Sequence, residues 1–140
     1  MSEDTLRSIS LRRTGPGQFV ATNKHGVELP LGTGGGDQFS PVELLLAAIA
    51  GCTALDVEAL TSRRAEPDSF ELTATGDKIR DEEGNRLENL QVTFKVVFPA
   101  GEAGDAARAV LPEMVQKSHD RLCTVTRTIE RGTPVATSIE

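Results

Sequence analysis

The sequence contains no tryptophan and no tyrosine, and only five phenylalanines in 140 residues. That scarcity argues against a single-strand nucleic-acid binder, which needs aromatic side chains on which bases stack. It has no excess of positive charge either. Twenty-one Asp and Glu against fifteen Lys and Arg give a net charge of −6. Such a chain repels phosphate backbones, and the short pairs Arg12-Arg13 and Arg63-Arg64 make no basic stripe to offset this. No long apolar run is present: Leu44 to Gly51 falls far short of the ~20 residues that cross a bilayer. The N-terminus, Met1-Ser-Glu-Asp-Thr5, shows no positive segment followed by an apolar stretch, so no export signal is visible. These absences predict a cytoplasmic protein with no membrane and no nucleic-acid partner. Two cysteines are too few for a disulfide framework in a compartment where thiols stay reduced. No His/Cys spacing resembles a zinc site, so no metal is expected. The loop Gly32 to Asp37 precedes a helix, but it lacks the Gly-Lys-Ser/Thr ending of a phosphate loop, and Asp37 carries the wrong charge. It reads as a flexible connection.

What is present reads as one α+β domain over residues 1–140. Turn residues divide the N-terminal part into strands at Ser8 to Arg13, Gln18 to Asn23 and Val27 to Leu31, a three-stranded meander. Ser40-Pro-Val-Glu43 is a helix start, with Ser40 as cap, Pro41 at the first position and Glu43 completing a capping box. The helix is expected to run to about Arg64. Its first half, Leu44 to Cys52, is apolar all round and must be buried on every side. A chain of this size has difficulty enclosing such a rod, which points to a second subunit. Residues 69–79 and 87–98 alternate apolar and polar around Asp81-Glu-Glu-Gly-Asn85, which predicts a hairpin. A second helix is expected from Gly104 to Asp120, kinked or split at Pro112. A short third helix follows from Cys123 to Glu130, ended by Gly132, and then a last strand from Thr133 to Ile139. Strands do not alternate with helices, so α+β is favoured over parallel α/β.

Chemistry, if there is any, centres on the two thiols. Cys52 shares a helix face with Leu45, Ala48, Ile49, Leu55, Asp56 and Ala59. It reads equally as a small buried hydrophobe. It stands nearly three turns from the helix start, so an activated thiolate there needs a partner from elsewhere. Cys123 stands at a predicted helix N-terminus, where free N–H groups favour a thiolate. It too reads as a buried cysteine. His119, four residues before it, is a candidate partner, whereas His25 in Lys-His-Gly reads as a turn residue. Asp56, one turn after Cys52, would raise the thiol pKa if buried beside it, or would cap or pair with an Arg.

The segment Ser40-Pro-Val-Glu-Leu-Leu-Leu-Ala-Ala-Ile-Ala-Gly-Cys-Thr-Ala-Leu-Asp-Val57 resembles the central-helix signature of the OsmC/Ohr superfamily, in its OsmC-like branch. Ser118-His-Asp-Arg-Leu-Cys-Thr-Val125 is similar to that family's second-cysteine region, and the element order agrees over essentially the whole chain. The resemblance implies a fold in which antiparallel sheets wrap around long central helices of an intertwined homodimer. It implies peroxidase chemistry on organic hydroperoxides, with Cys52 as the peroxidatic and Cys123 as the resolving thiol. An external dithiol, such as a lipoylated protein, would be the reductant, with no metal or organic cofactor. Characterised reductases of the family carry a Glu directly after the helix-start Pro and an Arg in the N-terminal strands. Here Val42 follows Pro41, with Glu43 one position later, and Gln18 stands where the Arg is expected. Glu43 and either Arg12 or Arg13 remain as substitutes; neighbours on a strand face opposite ways, so at most one of the pair points inward. The other reading is a non-enzymatic dimer that holds a small apolar ligand.

Overall fold

The computed structural model describes residues 5–140. The chain falls into two compact units, one up to Leu45 and one from Leu46 to Glu140. The boundary lies within a continuous helix, α1 (Pro41–Thr61).

The first unit is built on the meander. Strands β1 (Ser10–Gly15), β2 (Gln18–Thr22) and β3 (Glu28–Gly32) form an antiparallel sheet in that order. Arg13 stands opposite Phe19, and Phe19 opposite Leu31, so Phe19 lies between the two on the middle strand. Beyond β3 the glycine-rich loop closes on itself, with Gly32 N–H donating to Phe39 C=O at 3.0 Å. The predicted capping box is formed at the start of α1. Glu43 N–H donates to Ser40 Oγ at 3.1 Å, and Ser40 N–H donates to the Glu43 carboxylate at 2.9 Å. Two otherwise orphaned backbone donors are thus satisfied reciprocally.

In the second unit α1 buries one stripe, Ile49, Thr53, Val57 and Thr61. Their four-residue spacing is a single ridge of a helix. Burial on every side, which the all-round apolar first half demands, is not met within the chain: Leu45 is 38 % exposed, and beyond that half Leu55 is 71 % exposed. By length and composition α1 also suffices to cross a bilayer, contrary to the expectation from its apolar run alone; a protein's core helix satisfies the same two criteria. Thr61 ends the ridge, its hydroxyl donating back to Val57 C=O at 2.8 Å.

The expected hairpin is β4 (Ser69–Asp81) with β5 (Gly84–Val97). Phe70 pairs with Val96, Leu72 with Phe94 and Ala74 with Val92, so the alternating apolar residues share one face. Phe70 and Phe94 meet edge to face, with ring centroids 6.3 Å apart. Such a pair adds about 0.5–1.5 kcal/mol to its area burial. The register slips between Thr75 and Asp77, and opposite this bulge Asn89 takes a positive φ of 54°.

Helix α2 (Glu102–Lys117) runs unbroken through Pro112, contrary to the predicted split. Its end is not a simple cap. Ser118–Leu122 continue as one π-helical turn, closed by Cys123 N–H donating to Ser118 C=O at 2.7 Å. Helix α3 (Thr124–Glu130) follows and ends before Gly132, whose φ is +62°. The predicted last strand, Thr133 to Ile139, is absent: the segment is irregular, with Val135 88 % and Ile139 100 % exposed. Its alternating β-branched residues have the propensity, but β propensity expresses itself only against a partner edge, and among the described residues this segment pairs with none.

Candidate thiol site

The π turn decides where the second thiol goes. An α-helical turn hands its N–H to the carbonyl four residues back, whereas here the bond reaches five back, from Cys123 to Ser118. The wider turn is a local distortion that recurs at functional sites. It leaves Ser118 and Cys123 fully buried. Cys123 then caps α3: its Sγ accepts the Thr126 N–H at 3.4 Å, and its thiol donates to Thr126 Oγ1 at 3.2 Å.

Cys52 and Cys123, separated by 71 positions in the sequence, are brought together, and both are free thiols. Their sulfurs and a carboxylate oxygen of Asp56 lie within 4.8 Å of one another. Among the described residues Asp56 neither caps a helix nor pairs with an arginine. Its carboxylate accepts the Ser118 hydroxyl at 2.9 Å, and Ser118 Oγ lies 2.8 Å from Thr53 Oγ1. A chain of side-chain hydrogen bonds therefore links α1 to the π turn beside the sulfurs. Among the described residues no buried side-chain nitrogen or oxygen lacks a partner.

Burial pushes the Cys52 thiol above its ordinary value of 9.0, and the neighbouring Cys123 adds to the rise, while the Val125 and Thr124 N–H groups pull the other way. The α3 start thus supplies the hydrogen-bonding partner that Cys52 cannot find on its own helix. A pH dependence follows. Alkylation of Cys52 by iodoacetamide should speed up by about tenfold per pH unit through neutrality, with a midpoint above 9.0. In Cys123→Ala the contribution of the second thiol is gone, so the midpoint should fall; a midpoint that stays in place would contradict the assignment of causes.

Glu43 is engaged in the capping box. Arg13 is exposed on β1, and Arg12 pairs with Glu28 at 3.1 Å. His119 does not serve Cys123. Its Nδ1 meets Asp120 at 2.8 Å and its Nε2 meets Glu130 at 3.0 Å, and these two acceptors, Asp120 first, raise its pKa. Sequence reasoning missed Ser118, Thr53, Thr126 and the Thr124 and Val125 amides. All but Thr126 lie inside the two motifs quoted for the family resemblance, and that membership is the signal that could have pointed to them.

Within the second unit lies a cavity of about 220 Å³. Leu46, Ile49, Leu90, Val92, Phe94 and Val115 make its wall largely apolar, and Thr53 and Thr126 bring it to within one hydrogen bond of the site.

Comparison with known proteins agrees with this architecture. The sequence profile described as OsmC-like protein matches residues 34–138. No curated protein matches the sequence. Among solved structures, an OsmC-like protein of unknown function from Vibrio cholerae superposes with a TM-score of 0.74 at 15 % identity, over 93 % of this chain and 95 % of that one. A hypothetical protein from Aquifex aeolicus gives 0.73 at 19 % identity, over 91 % and 89 %. The organic hydroperoxide resistance protein OhrB of Bacillus subtilis gives 0.57 at 20 % identity, over 91 % and 92 %.

Proposed function

Because the chain belongs to the OsmC-like protein family, we propose that it is a thiol-dependent peroxidase that reduces organic hydroperoxides through Cys52 and Cys123. The observation that carries this reading is the approach of the two sulfurs and Asp56 to within 4.8 Å. Neighbours of the same fold that are named organic hydroperoxide resistance proteins add support. In the first step the Cys52 thiolate attacks the terminal peroxide oxygen and the O–O bond breaks. The leaving alkoxide takes a proton and departs as the alcohol, and Cys52 is left as a sulfenic acid. Cys123, as thiolate, then attacks the sulfenic sulfur, the hydroxyl leaves as water, and a disulfide joins the two residues. The bond requires the sulfurs to close to about 2.05 Å, a movement that falls on the π turn and the start of α3. An external dithiol, such as a lipoylated protein, returns both thiols by exchange and is itself oxidised. The reading assigns no step to Glu43 or Arg13.

The same reading takes the working form to be a homodimer in the cytoplasm. Support for the second subunit is the exposure of Leu45, at 38 %, in the half of α1 that is apolar all round, and of Leu55, at 71 %, just beyond it. The apolar cavity favours a second reading, in which it holds a small apolar ligand and the cysteines are packing residues. Thiol counting separates the two. Reduced protein given substoichiometric cumene hydroperoxide should lose two thiols for each peroxide consumed and release one alcohol. Survival of both thiols in excess peroxide would leave the binding protein alone.

A further inference from the structure

The linear spacing of His and Cys carries no metal signature, but the fold collects donors that the sequence keeps apart. We propose that in the reduced chain Cys52 Sγ, Cys123 Sγ and the Asp56 carboxylate form a three-ligand site for one thiophilic divalent cation, Zn2+. The geometry is the first support. Tetrahedral zinc holds thiolates at about 2.3 Å and carboxylates at about 2.0–2.2 Å, which sets neighbouring donors somewhat under 4 Å apart. The three donors here lie within 4.8 Å of one another, so a shift of about 1 Å brings them into range.

The second support is the set of groups behind the donors. Ligating carboxylates are ordinarily fixed by an outer hydrogen bond. Asp56 has one from the buried Ser118, which is itself held by Thr53. The α3 cap fixes Cys123 by its own contacts to Thr126. Ligand type is the third. Two thiolates and one carboxylate select a borderline-soft ion over magnesium or calcium, which take oxygen donors. Three protein ligands leave the fourth position open, as in zinc sites that bind an exogenous group. Cys52 is half-buried rather than sealed and gives the ion a way in.

Binding would displace the thiol protons, so zinc uptake by reduced protein releases acid. It would also engage the sulfur lone pairs that a peroxide must meet. When an organic hydroperoxide oxidises the two thiols to the disulfide, two of the three ligands are lost and the ion is set free. The site stands whether or not the chain turns over peroxide, since it needs only the reduced thiols and Asp56.

The test uses the full chain, reduced and free of peroxide. Zn2+ titration should give one ion per chain with micromolar or tighter affinity, protect both thiols from alkylation and raise the melting temperature. Co2+ in its place should give a thiolate-to-metal charge-transfer band. Asp56→Asn should weaken zinc by about tenfold or more and Ser118→Ala by about 10–100-fold. Cys52→Ser should abolish the cobalt band. The diamide-oxidised wild type, which needs no substitution, should bind no zinc. No uptake at micromolar zinc, or equal uptake by the reduced and oxidised chains, overturns the site. So does equal uptake by Asp56→Asn, with folding checked by circular dichroism. A chain that consumes peroxide and takes up no zinc refutes the metal site alone, and one that takes up zinc and leaves peroxide untouched refutes the peroxidase alone.

Discussion

Replacing Cys52 by serine is expected to lower organic hydroperoxide consumption at least about a thousand-fold, to the uncatalysed background. The serine hydroxyl keeps the size of the thiol, but it ionises far outside the working range and its oxygen attacks peroxides poorly. Replacing Cys123 by serine should act differently. The first oxidation still proceeds, so one equivalent of peroxide is consumed, but no thiol stands near enough to condense with the sulfenic acid. Without added thiol, turnover stops after that equivalent. Dimedone should then label Cys52, and excess peroxide should carry it on to the irreversible sulfinic acid. The contrast between a dead variant and a single-turnover variant separates the two roles. If both variants keep wild-type turnover, the thiols are packing residues. If Cys123→Ser cycles normally with the dithiol present, the external thiol reaches Cys52 directly and the second cysteine resolves nothing. Since the Cys52 thiol sits above its ordinary value chiefly through burial, the wild-type rate should rise with pH across the neutral range.

Much of this arrangement can be read from local patterns. The cap on α1 follows from Ser40-Pro-Val-Glu43, because a capping box is a matter of four consecutive residues. The hairpin follows from the alternation of Phe70, Leu72 and Ala74, because a strand with one buried face fixes its own register. The central motif around Cys52 identified the family over a long stretch of chain. What escaped was set by tertiary contact. The π turn leaves no periodic trace, since a single bond reaching five residues back from Cys123 looks in sequence like an ordinary helix end. The hydrogen bond from Ser118 to Asp56 joins residues 62 positions apart. Asp56, read as a possible obstacle to the thiolate, is instead held by that hydroxyl. The segment from Thr133 to Ile139 shows the opposite error: it alternates well, yet alternation predicts a strand only where another edge exists to pair with.

The largest stability effect is expected at a residue that touches no sulfur. Gly104 lies in the first turn of α2 and is buried, and the backbone of Pro99 comes back against it. A Cβ added at Gly104 would fall 1.7 Å from the Pro99 carbonyl oxygen and 2.8 Å from its carbon. No rotamer change relieves that, because both atoms are backbone, so α2 must move away from the end of β5. The neighbours that hold the contact are themselves core: Phe98 is 4 % exposed and Ala107 is fully buried, while Arg108 donates to Phe98 C=O at 3.2 Å. Elsewhere in a helix Gly→Ala is stabilising by up to about 1 kcal/mol. Here overpacking reverses the sign, and Gly104→Ala should cost about 3 kcal/mol or more. For a chain of this length that lowers the melting temperature by roughly 10 °C. A comparison within the same chain makes the test specific. Gly51, on α1, has nothing within 4 Å of an added Cβ, so Gly51→Ala should be neutral or mildly stabilising. Thermal unfolding of the two variants side by side therefore gives opposite signs for the same chemical change, and equal melting temperatures would mean that α2 does not close on Pro99 in solution.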